Sequence, residues 1–345
     1  MIREAIARLV EGRDLPEAEM VEVMEEIMTG QATGAQIGAL LTALRMKGET
    51  VAEITGAARV MREKATPVEA AAPGELLMDI VGTGGDLSGT FNVSTTSALV
   101  VAAAGVAVAK HGNRSVSSRC GSADVLEALG VDLNLSPEQI GRCVRQVGIG
   151  FMFAPKLHGA MKHAIGPRRE IGIRTLFNLL GPLTNPARAN AYLLGVYDAG
   201  LTEKVAQTLV NFGVRRAMVV WGEGNIDELT VTAPSRVSEV CGETVRTYTL
   251  TPEELGLSRA PLAAVKGGAT PEESAALVWE VLNGSPGPRR EMVLLNAGAA
   301  LMVAGRAEDI RHGVILAAQL LDSGQAAAKL AALVAFCRDS QGAAS

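Results

Sequence analysis

Two strand–loop–helix units follow one another between residues 76 and 129, and they restrict the possible folds more than any other feature of the sequence. An apolar run at 76–81 is typical of a strand, and the Ala- and Val-rich helix after its loop continues to about Ala104. A second strand is predicted around 106–108, ahead of a helix that contains Val125, Leu126 and Leu129. Such units build a parallel sheet flanked by helices. Because parallel strands end at one edge of a sheet, the two loops are predicted to form the walls of one cleft.

Both loops are rich in hydrogen-bond donors. The stretch 110–124 contains Lys110, Arg114, Arg119 and four serines, with almost nothing that could be buried. Residues 82–96 include glycines at 82, 84 and 85, which permit positive φ and close approach by a ligand. Backbone N–H groups, hydroxyls and cations of this kind converge on phosphate oxygens. One such loop could be an ordinary polar surface loop, but two in tandem predict a site for a multiply charged anion.

The common phosphate-binding motifs do not fit these loops. A dinucleotide fingerprint counted from Gly82 requires glycine at position 87, which is Leu87. A P-loop counted from Gly84 finds Gly89 in place, but Thr90 stands where the motif requires lysine. The sequence therefore favours neither nicotinamide nor nucleoside-triphosphate chemistry.

Several stretches carry a resemblance to a known family. They are GTGGD at 82–86, NVST at 92–95, KHGNR at 110–114, GSAD at 121–124, the long run at 168–186, and Asp227-Glu228. In order, and over nearly the whole chain, they closely resemble the signatures of the anthranilate phosphoribosyltransferase family. Matches of this length and number are far more specific than the short motifs above.

The resemblance implies an α/β fold with two parts. A small all-helical N-terminal domain is expected at 1–72, joined by helices from about 168–186, and it is expected to form a homodimer. A larger α/β domain, with a central mostly parallel sheet flanked by helices, is expected at 73–345 and would bind the phosphoribosyl diphosphate.

The resemblance also implies the reaction and its residues. The phosphoribosyl group of 5-phosphoribosyl 1-diphosphate would pass to the amino group of anthranilate, giving N-(5-phosphoribosyl)anthranilate and diphosphate, the second step of tryptophan synthesis from chorismate. Catalysis would be electrostatic and positional, without an acid–base residue. The expected donor-binding residues are Gly82, Gly85, Asp86, Thr90, Asn92, Val93, Ser94, Thr95, Lys110, His111, Gly112, Asn113, Arg114, Ser115, Val116, Ser117, Ser118 and Ser122. Those expected to bind anthranilate are Gly82, His111, Asn113 and Arg168.

The resemblance gives a function to two adjacent carboxylates that the sequence alone would leave as a surface turn. Asp227 and Glu228 follow a strand predicted at 216–221, where adjacent carboxylates are usually a solvated turn. Mg²⁺ prefers one or two carboxylates together with substrate phosphates, and the resemblance implies that Asp227, Glu228 and Ser94 hold it, with two ions per subunit.

Adjacent arginines at a helix start are also usually solvated, but a guanidinium suits a planar carboxylate. The resemblance assigns this task to Arg168 rather than Arg169.

Composition limits the partners and the compartment. A net charge of -5 and only 3% aromatic residues argue against a nucleic-acid ligand. The sequence shows no paired cysteine spacing, signal peptide or long apolar span, so we expect small-molecule substrates, no membrane association and a cytoplasmic location. Two alternatives remain: a pyrimidine nucleoside phosphorylase of similar fold, working without magnesium, and a relative that binds a ligand without turnover.

The N-terminal region has the sequence signals of helix starts. Three capping boxes are predicted: Asp14 with Glu17, Thr33 with Gln36, and Thr50 with Glu53. None of these residues suggests chemistry, so this region is predicted to serve packing and association.

Overall fold

The N-terminal region folds into four helices with an apolar core between them. The computed structural model describes residues 1–115 and 120–342, and its first helices are α1 (Ile2–Val10), α2 (Glu17–Met28), α3 (Gly34–Lys47) and α4 (Val51–Lys64). Met20, Met24, Leu40 and Ile54 are completely buried. The bundle therefore forms because each helix has one apolar face that only its neighbours can cover.

Two of the three predicted capping boxes are confirmed. Thr33 accepts the N–H of Gln36 at the start of α3, and Thr50 does the same for Glu53 at the start of α4. The box predicted at Asp14 is wrong, because α2 begins after Pro16 and no side chain caps it. The Asp14 carboxylate instead accepts a hydrogen bond from Lys47 Nζ at 2.7 Å.

A seven-stranded sheet forms the centre of the second part. Its strands are β1 (Leu77–Gly82), β2 (Ala107–Gly112), β3 (Ile149–Phe153), β4 (Ala191–Gly195), β5 (Arg216–Gly222), β6 (Ser235–Cys241) and β7 (Thr244–Leu250), in the order β3-β2-β1-β4-β5-β6-β7. The five strands from β3 to β5 are parallel, and β6 and β7 are antiparallel additions. The predicted fold class, a helical N-terminal part plus a mostly parallel sheet, is confirmed.

The remaining α-helices follow the N-terminal bundle in chain order. They are α5 (Val93–Ala103), α6 (Ser122–Ala128), α7 (Pro137–Val147), α8 (Ala154–Leu157), α9 (Lys162–Ile171), α10 (Leu176–Leu183), α11 (Thr202–Asn211), α12 (Pro271–Leu282), α13 (Pro288–Val303), α14 (Ile310–Asp322) and α15 (Gln325–Gly342). Helix α5 packs against α13 and α15, so nearly all of its surface is buried. In the described part of the chain no single helix could span a membrane; α14 with most of α15, bent by 65°, passes as a pair by length and composition only.

Helices α9 and α10 lie beside the N-terminal bundle rather than on the sheet. Helix α9 packs against α2 and α3, and α10 packs against α3 and α4. The chain reaches them after β3 and the short helix α8, at the carboxyl edge of the sheet, and returns to the sheet at β4. The loops at that edge therefore face these helices, and Arg174, between α9 and α10, donates a hydrogen bond to the Gly85 carbonyl in the loop after β1.

Candidate active site

Four neighbouring strands end in glycine at the carboxyl edge of the sheet. The glycines are Gly82, Gly112, Gly195 and Gly222, the last residues of β1, β2, β4 and β5. A β-carbon at Gly82 would stand 2.3 Å from Asp227 Oδ2, and one at Gly195 would stand 1.5 Å from the Asp227 carbonyl oxygen. Asp227 thus occupies the space that side chains would otherwise fill, and it lies against the strand ends rather than in a solvated turn.

Asp227 and Glu228 are tied to the loop that follows β1. Asp227 Oδ2 accepts the N–H of Gly84 at 2.7 Å, and Glu228 Oε1 accepts the N–H of Ser94 at 3.1 Å. Asp86 lies close enough to Asp227 for the two carboxyl groups to interact directly. One oxygen of Glu228 and one of Asp86 are buried without a hydrogen-bond partner in the described structure. Three acidic groups therefore converge with two unsatisfied oxygens among them.

The electrostatics of this cluster call for a cation. Burial, reinforced by Asp86, raises the pKa of Asp227 to about 7, and burial together with Asp227 raises the pKa of Glu228 well above its usual value. Within residues 1–115 and 120–342, no three His, Cys, Asp or Glu side chains are arranged to hold a metal ion by themselves. A divalent cation would fit only if a ligand supplied its remaining oxygens, which is how Mg²⁺ is commonly bound.

The loop at 83–92, which we call the glycine loop, presents unpaired backbone donors. Gly84, Gly85, Leu87 and Gly89 have φ between 61° and 68°, a left-handed conformation that costs little only for glycine. Across the described residues, no hydrogen bond uses the N–H groups of Gly85, Leu87, Gly89 or the intervening Asp86. Successive N–H groups in such a backbone form a concave anion-binding surface.

Lys110 is a buried cation beside this loop. Its side chain, on β2, is only 3% exposed, and its Nζ donates to the Ile80 carbonyl at 2.7 Å and lies 3.4 Å from Ser94 Oγ. Burial lowers the pKa of Lys110 to about 8, although Asp79, Glu228 and Asp227 oppose this shift. Lys110 and Ser94 therefore meet at the edge of the acidic cluster.

The loop after β2 is held mainly by helix α6. Arg114 forms ion pairs of 2.8 Å with Asp124 and with Glu127, so its guanidinium is committed to α6. The Ser115 N–H donates to Asp124 at 3.1 Å, and Ser122 Oγ donates to the Asn113 carbonyl at 3.3 Å. The expected donor residues Val116, Ser117 and Ser118 lie outside the described residues.

The other expected donor residues are placed as follows. Thr90 Oγ1 lies 3.1 Å from Ser88 Oγ, within the glycine loop. Asn92 Nδ2 donates to the Cys120 carbonyl at 3.3 Å and so links the two loops. Val93 and Thr95 are buried in the first turn of α5, where the Thr95 hydroxyl has no hydrogen-bond partner in the described structure.

His111 and Arg168 approach one face of helix α10. The Gly181 backbone lies beside the His111 ring, and the Arg168 guanidinium lies 5.0 Å from the centroid of the Phe177 ring. Phe177 and Gly181 are four residues apart, so they share a face of the helix. Burial lowers the pKa of His111 to about 3 and also lowers the pKa of Arg168. The structure thus brings together a neutral imidazole and a partly desolvated guanidinium.

Sequence reasoning missed three features of the site. Arg174 donates to the Gly85 carbonyl, and Lys266 Nζ donates to the Ser88 carbonyl. Asp79, fully buried in β1, accepts hydrogen bonds from the His111 N–H at 3.2 Å and from Asn185 Nδ2 at 2.7 Å. The only local signal for Asp79 was an acidic residue inside an apolar strand. Lys266 precedes two glycines, and Arg174 lies within the conspicuous run at 168–186.

Comparison with known proteins adds an independent result. Residues 3–65 match the helical bundle domain of a glycosyl transferase family, and residues 74–327 match the a/b domain of the same family. The anthranilate phosphoribosyltransferase of Desulfotalea psychrophila is 61% identical over 336 residues, covering 97% of each chain. The crystal structure of the Thermus thermophilus anthranilate phosphoribosyltransferase matches with a TM-score of 0.91 at 49% identity, covering 97% of this chain and 99% of that one. The Saccharomyces cerevisiae anthranilate phosphoribosyltransferase in complex with PRPP (5-phosphoribosyl 1-diphosphate) and Mg is 26% identical, with a TM-score of 0.87 and coverage of 98% of both chains.

Proposed function

Because the chain belongs to the anthranilate phosphoribosyltransferase family, we propose that its cleft transfers the phosphoribosyl group of PRPP to the amino nitrogen of anthranilate, in tryptophan synthesis. The observation that carries this proposal is the contact of the acidic pair with the glycine loop and the first turn of α5, where Asp227 accepts the N–H of Gly84 and Glu228 accepts the N–H of Ser94. The free N–H groups of the loop can bind an anion, and the carboxylates of Asp86, Asp227 and Glu228 can bind a cation. Together they suit a diphosphate with a bound metal ion.

The donor is held by the glycine loop, the first turn of α5, and the end of β2 with the loop that follows it. Free N–H groups at Gly85 and Asp86 face no protein acceptor in the described structure, and they would bind phosphate oxygens. Lys110 adds a buried charge. The remaining proposed donor residues are Gly82, Thr90, Asn92, Val93, Ser94, Thr95, His111, Gly112, Asn113, Arg114, Ser115, Val116, Ser117, Ser118 and Ser122. For Arg114 the proposal rests on its backbone, because its guanidinium pairs with Asp124 and Glu127.

Magnesium would be held by Asp227, Glu228 and Ser94, with two ions per subunit. The presence of PRPP and Mg in the yeast relative supports its use here. The buried, unpaired oxygen of Glu228 and the raised pKa values of both carboxyl groups fit a cation in this position. When bound, Mg²⁺ supplies neutralisation of the charge that develops on the diphosphate.

The acceptor would lie along α10. Arg168 would bind the anthranilate carboxylate, since a guanidinium and a carboxylate match in geometry. His111, Asn113 and Gly82 would complete this subsite. Because burial keeps His111 neutral near pH 7, the ring can line the acceptor subsite without adding a positive charge that would attract the donor.

The reaction then needs positioning more than acid–base chemistry. A bond forms between the amino nitrogen and the anomeric carbon, the bond from that carbon to the diphosphate oxygen breaks, and the nitrogen loses one proton to solvent. An arylamine is neutral at pH 7, so no base has to activate it. Fixing both substrates in the cleft and stabilising the departing anion account for the rate.

The two-part architecture suggests how the subunits associate. We propose that residues 1–72, with the helices at 168–186, form a homodimer, and that residues 73–345 hold the donor. Val10 and Met46 support this, because they are 73% and 83% exposed near one end of the bundle. We also propose a cytoplasmic location, in keeping with small, soluble substrates.

The decisive assay follows anthranilate fluorescence after PRPP and Mg²⁺ are added to the purified protein, with a chelator as control. A loss of fluorescence that needs all three components is expected. Phosphate-dependent cleavage of thymidine or uridine instead would identify a nucleoside phosphorylase. Inactivity in both assays, with PRPP still bound, would identify a binding protein without turnover.

A further inference from the structure

Two cationic side chains hold two carbonyl groups of the glycine loop. Arg174, between α9 and α10, donates to the Gly85 carbonyl, and Lys266, ahead of α12, donates through Nζ to the Ser88 carbonyl. In the described part of the chain neither cation forms an ion pair. Their charges are therefore directed at the backbone of this loop rather than at an acidic side chain.

Holding a carbonyl fixes the direction of the next N–H group. In a trans peptide the C=O and the following N–H point to opposite sides, and the described chain contains no cis peptide bond. With the Gly85 carbonyl turned to Arg174, the Asp86 N–H points away from Arg174. With the Ser88 carbonyl turned to Lys266, the Gly89 N–H points away from Lys266. Neither of these two N–H groups has a hydrogen-bond acceptor among the described residues.

Both cations are themselves firmly placed. The Arg174 guanidinium lies 4.6 Å from the centroid of the Tyr197 ring, and Tyr197 is buried. The segment that carries Lys266 pairs with the loop, since the Phe91 N–H donates to Val265 at 3.0 Å and the Gly267 N–H donates to Gly89 at 3.0 Å. The Lys266 carbonyl in turn accepts Arg289 at 3.0 Å and 3.2 Å.

We propose that Arg174 and Lys266 are positioning residues for the phosphoribosyl donor. Each withdraws a carbonyl oxygen from the anion site and directs the adjacent N–H group toward the diphosphate. A left-handed glycine backbone is flexible, and an unrestrained peptide could present its carbonyl to the phosphate instead. The two side chains act on the donor through the loop and need not touch it. This inference rests on the proposed function, because it assumes that the loop binds the donor.

The test compares substrate constants across matched variants. In Arg174→Ala and in Lys266→Met we expect the KM for PRPP to rise about tenfold and that for anthranilate to change less than about twofold, because only donor contacts depend on the loop. Arg174→Lys and Lys266→Arg, which keep a donor group, should recover most of the loss. Arg142→Ala is the control, since Arg142 is exposed on α7 and has no hydrogen bond or ion pair within the described structure.

Two further measurements are made on every variant. Calorimetric titration with PRPP in the presence of Mg²⁺ gives the donor affinity, and thermal unfolding gives the midpoint temperature. PRPP affinity should fall with the KM change while the midpoint stays within about 2 °C. Donor KM values within about twofold of wild type, or equal increases for both substrates, would overturn the inference. If Arg174→Ala does not melt cooperatively, Arg174→Met, which keeps an unbranched side chain but has no donor, replaces it. An inactive wild-type protein would contradict the proposed function instead, and PRPP affinity would still separate the variants.

Discussion

The imidazole rings of His111 and His158 meet at their Nε2 atoms, which lie 3.2 Å apart, with the ring planes tilted by 54°. In the neutral pair, one Nε2 carries a proton and donates it, and the other Nε2 accepts. Protonating the accepting ring would set two N–H donors against each other.

This pair predicts a pH-dependent loss of stability. Burial lowers the pKa of His111 to about 3 and that of His158 to about 4, below the value of about 6.5 for an unfolded chain. Their stabilisation is therefore complete above pH 6.5 and is lost as the pH falls toward 4, by up to about 1.4 kcal/mol per pH unit for each ring. The free energy of unfolding in urea should fall between pH 7 and pH 5 in the wild type. In His158→Gln this fall should be about 1–2 kcal/mol smaller, because one titrating ring is gone. The exposed His312→Gln should behave like wild type, and an equal loss in all three would refute the prediction.

A second prediction concerns the buried contact between Asn185 and Asp79. Asn185 Nδ2 donates to Asp79 Oδ2 at 2.7 Å and to the Ala109 carbonyl at 2.9 Å. Asn185→Ala leaves both acceptors buried and unsatisfied, so we expect the free energy of unfolding in urea to fall by about 2–3 kcal/mol. Asn190→Ala is the matched control, because the Asn190 side chain also makes two hydrogen bonds, with the Leu77 N–H and the Glu75 carbonyl, but is exposed to water. Equal losses in the two variants would show that burial of the Asp79 carboxylate is not what matters.

The sheet could be predicted from the sequence because its signals are local. The apolar runs at 76–81 and 216–221 form β1 and β5, and the loop after β1 leads into α5, which ends at Ala103, close to the prediction. The box at Asp14 failed for an equally local reason, since Pro16 precedes the first residue of α2.

The candidate site was predictable only in part. The dense polar loops and the acidic pair stand out in the sequence, but their mutual contacts do not. Arg174 and the Gly85 carbonyl are 89 residues apart, and Lys266 and the Ser88 carbonyl are 178 apart. The ion pairs of Arg114 with Asp124 and Glu127 were likewise not visible in the sequence, where the guanidinium stood only as a cation in a predicted phosphate loop. Such outcomes depend on how the chain packs, which no local pattern records.

Arg168 should determine affinity for the acceptor. Its guanidinium lies against Phe177, is partly buried, and has no ion-pair partner among the described residues. Arg168→Ala is expected to raise the KM for anthranilate at least about tenfold and the KM for PRPP less than about twofold, since it removes one charged hydrogen-bond partner of the acceptor. Arg169→Ala, altering the exposed neighbour, is the control. Similar increases in both KM values would exclude this assignment.

The helical part should hold the dimer together. Val10 and Met46 are exposed apolar residues at the same end of the bundle. Lys47, next to Met46, donates through Nζ to Asp14 at 2.7 Å, and Asp14 lies four residues after Val10. Sedimentation should give wild type twice the chain mass of 35.8 kDa. Met46→Asp should shift it toward the monomer, because a charge cannot be buried without a partner. Ile315→Asp, an exposed position on α14, should leave the mass unchanged. A monomeric wild type would rule out this proposal.

The acidic cluster should destabilise the protein whenever its cation is missing. Burial and Asp86 raise the pKa of Asp227 to about 7, above about 4 in an unfolded chain, so this carboxyl group costs stability progressively as the pH rises from about 4 to 7. Without metal, Asp227→Asn should therefore be about 1 kcal/mol or more stable than wild type at pH 7.5, and no more stable at pH 4. The same substitution should reduce turnover about a hundredfold or more and abolish the increase in melting temperature that Mg²⁺ with diphosphate gives the wild type. Glu223→Gln, an exposed position on the same loop, should change neither property. A variant that is less stable than wild type without metal would mean that the Gly84 N–H contact outweighs the repulsion, and that Asp227 is a structural residue.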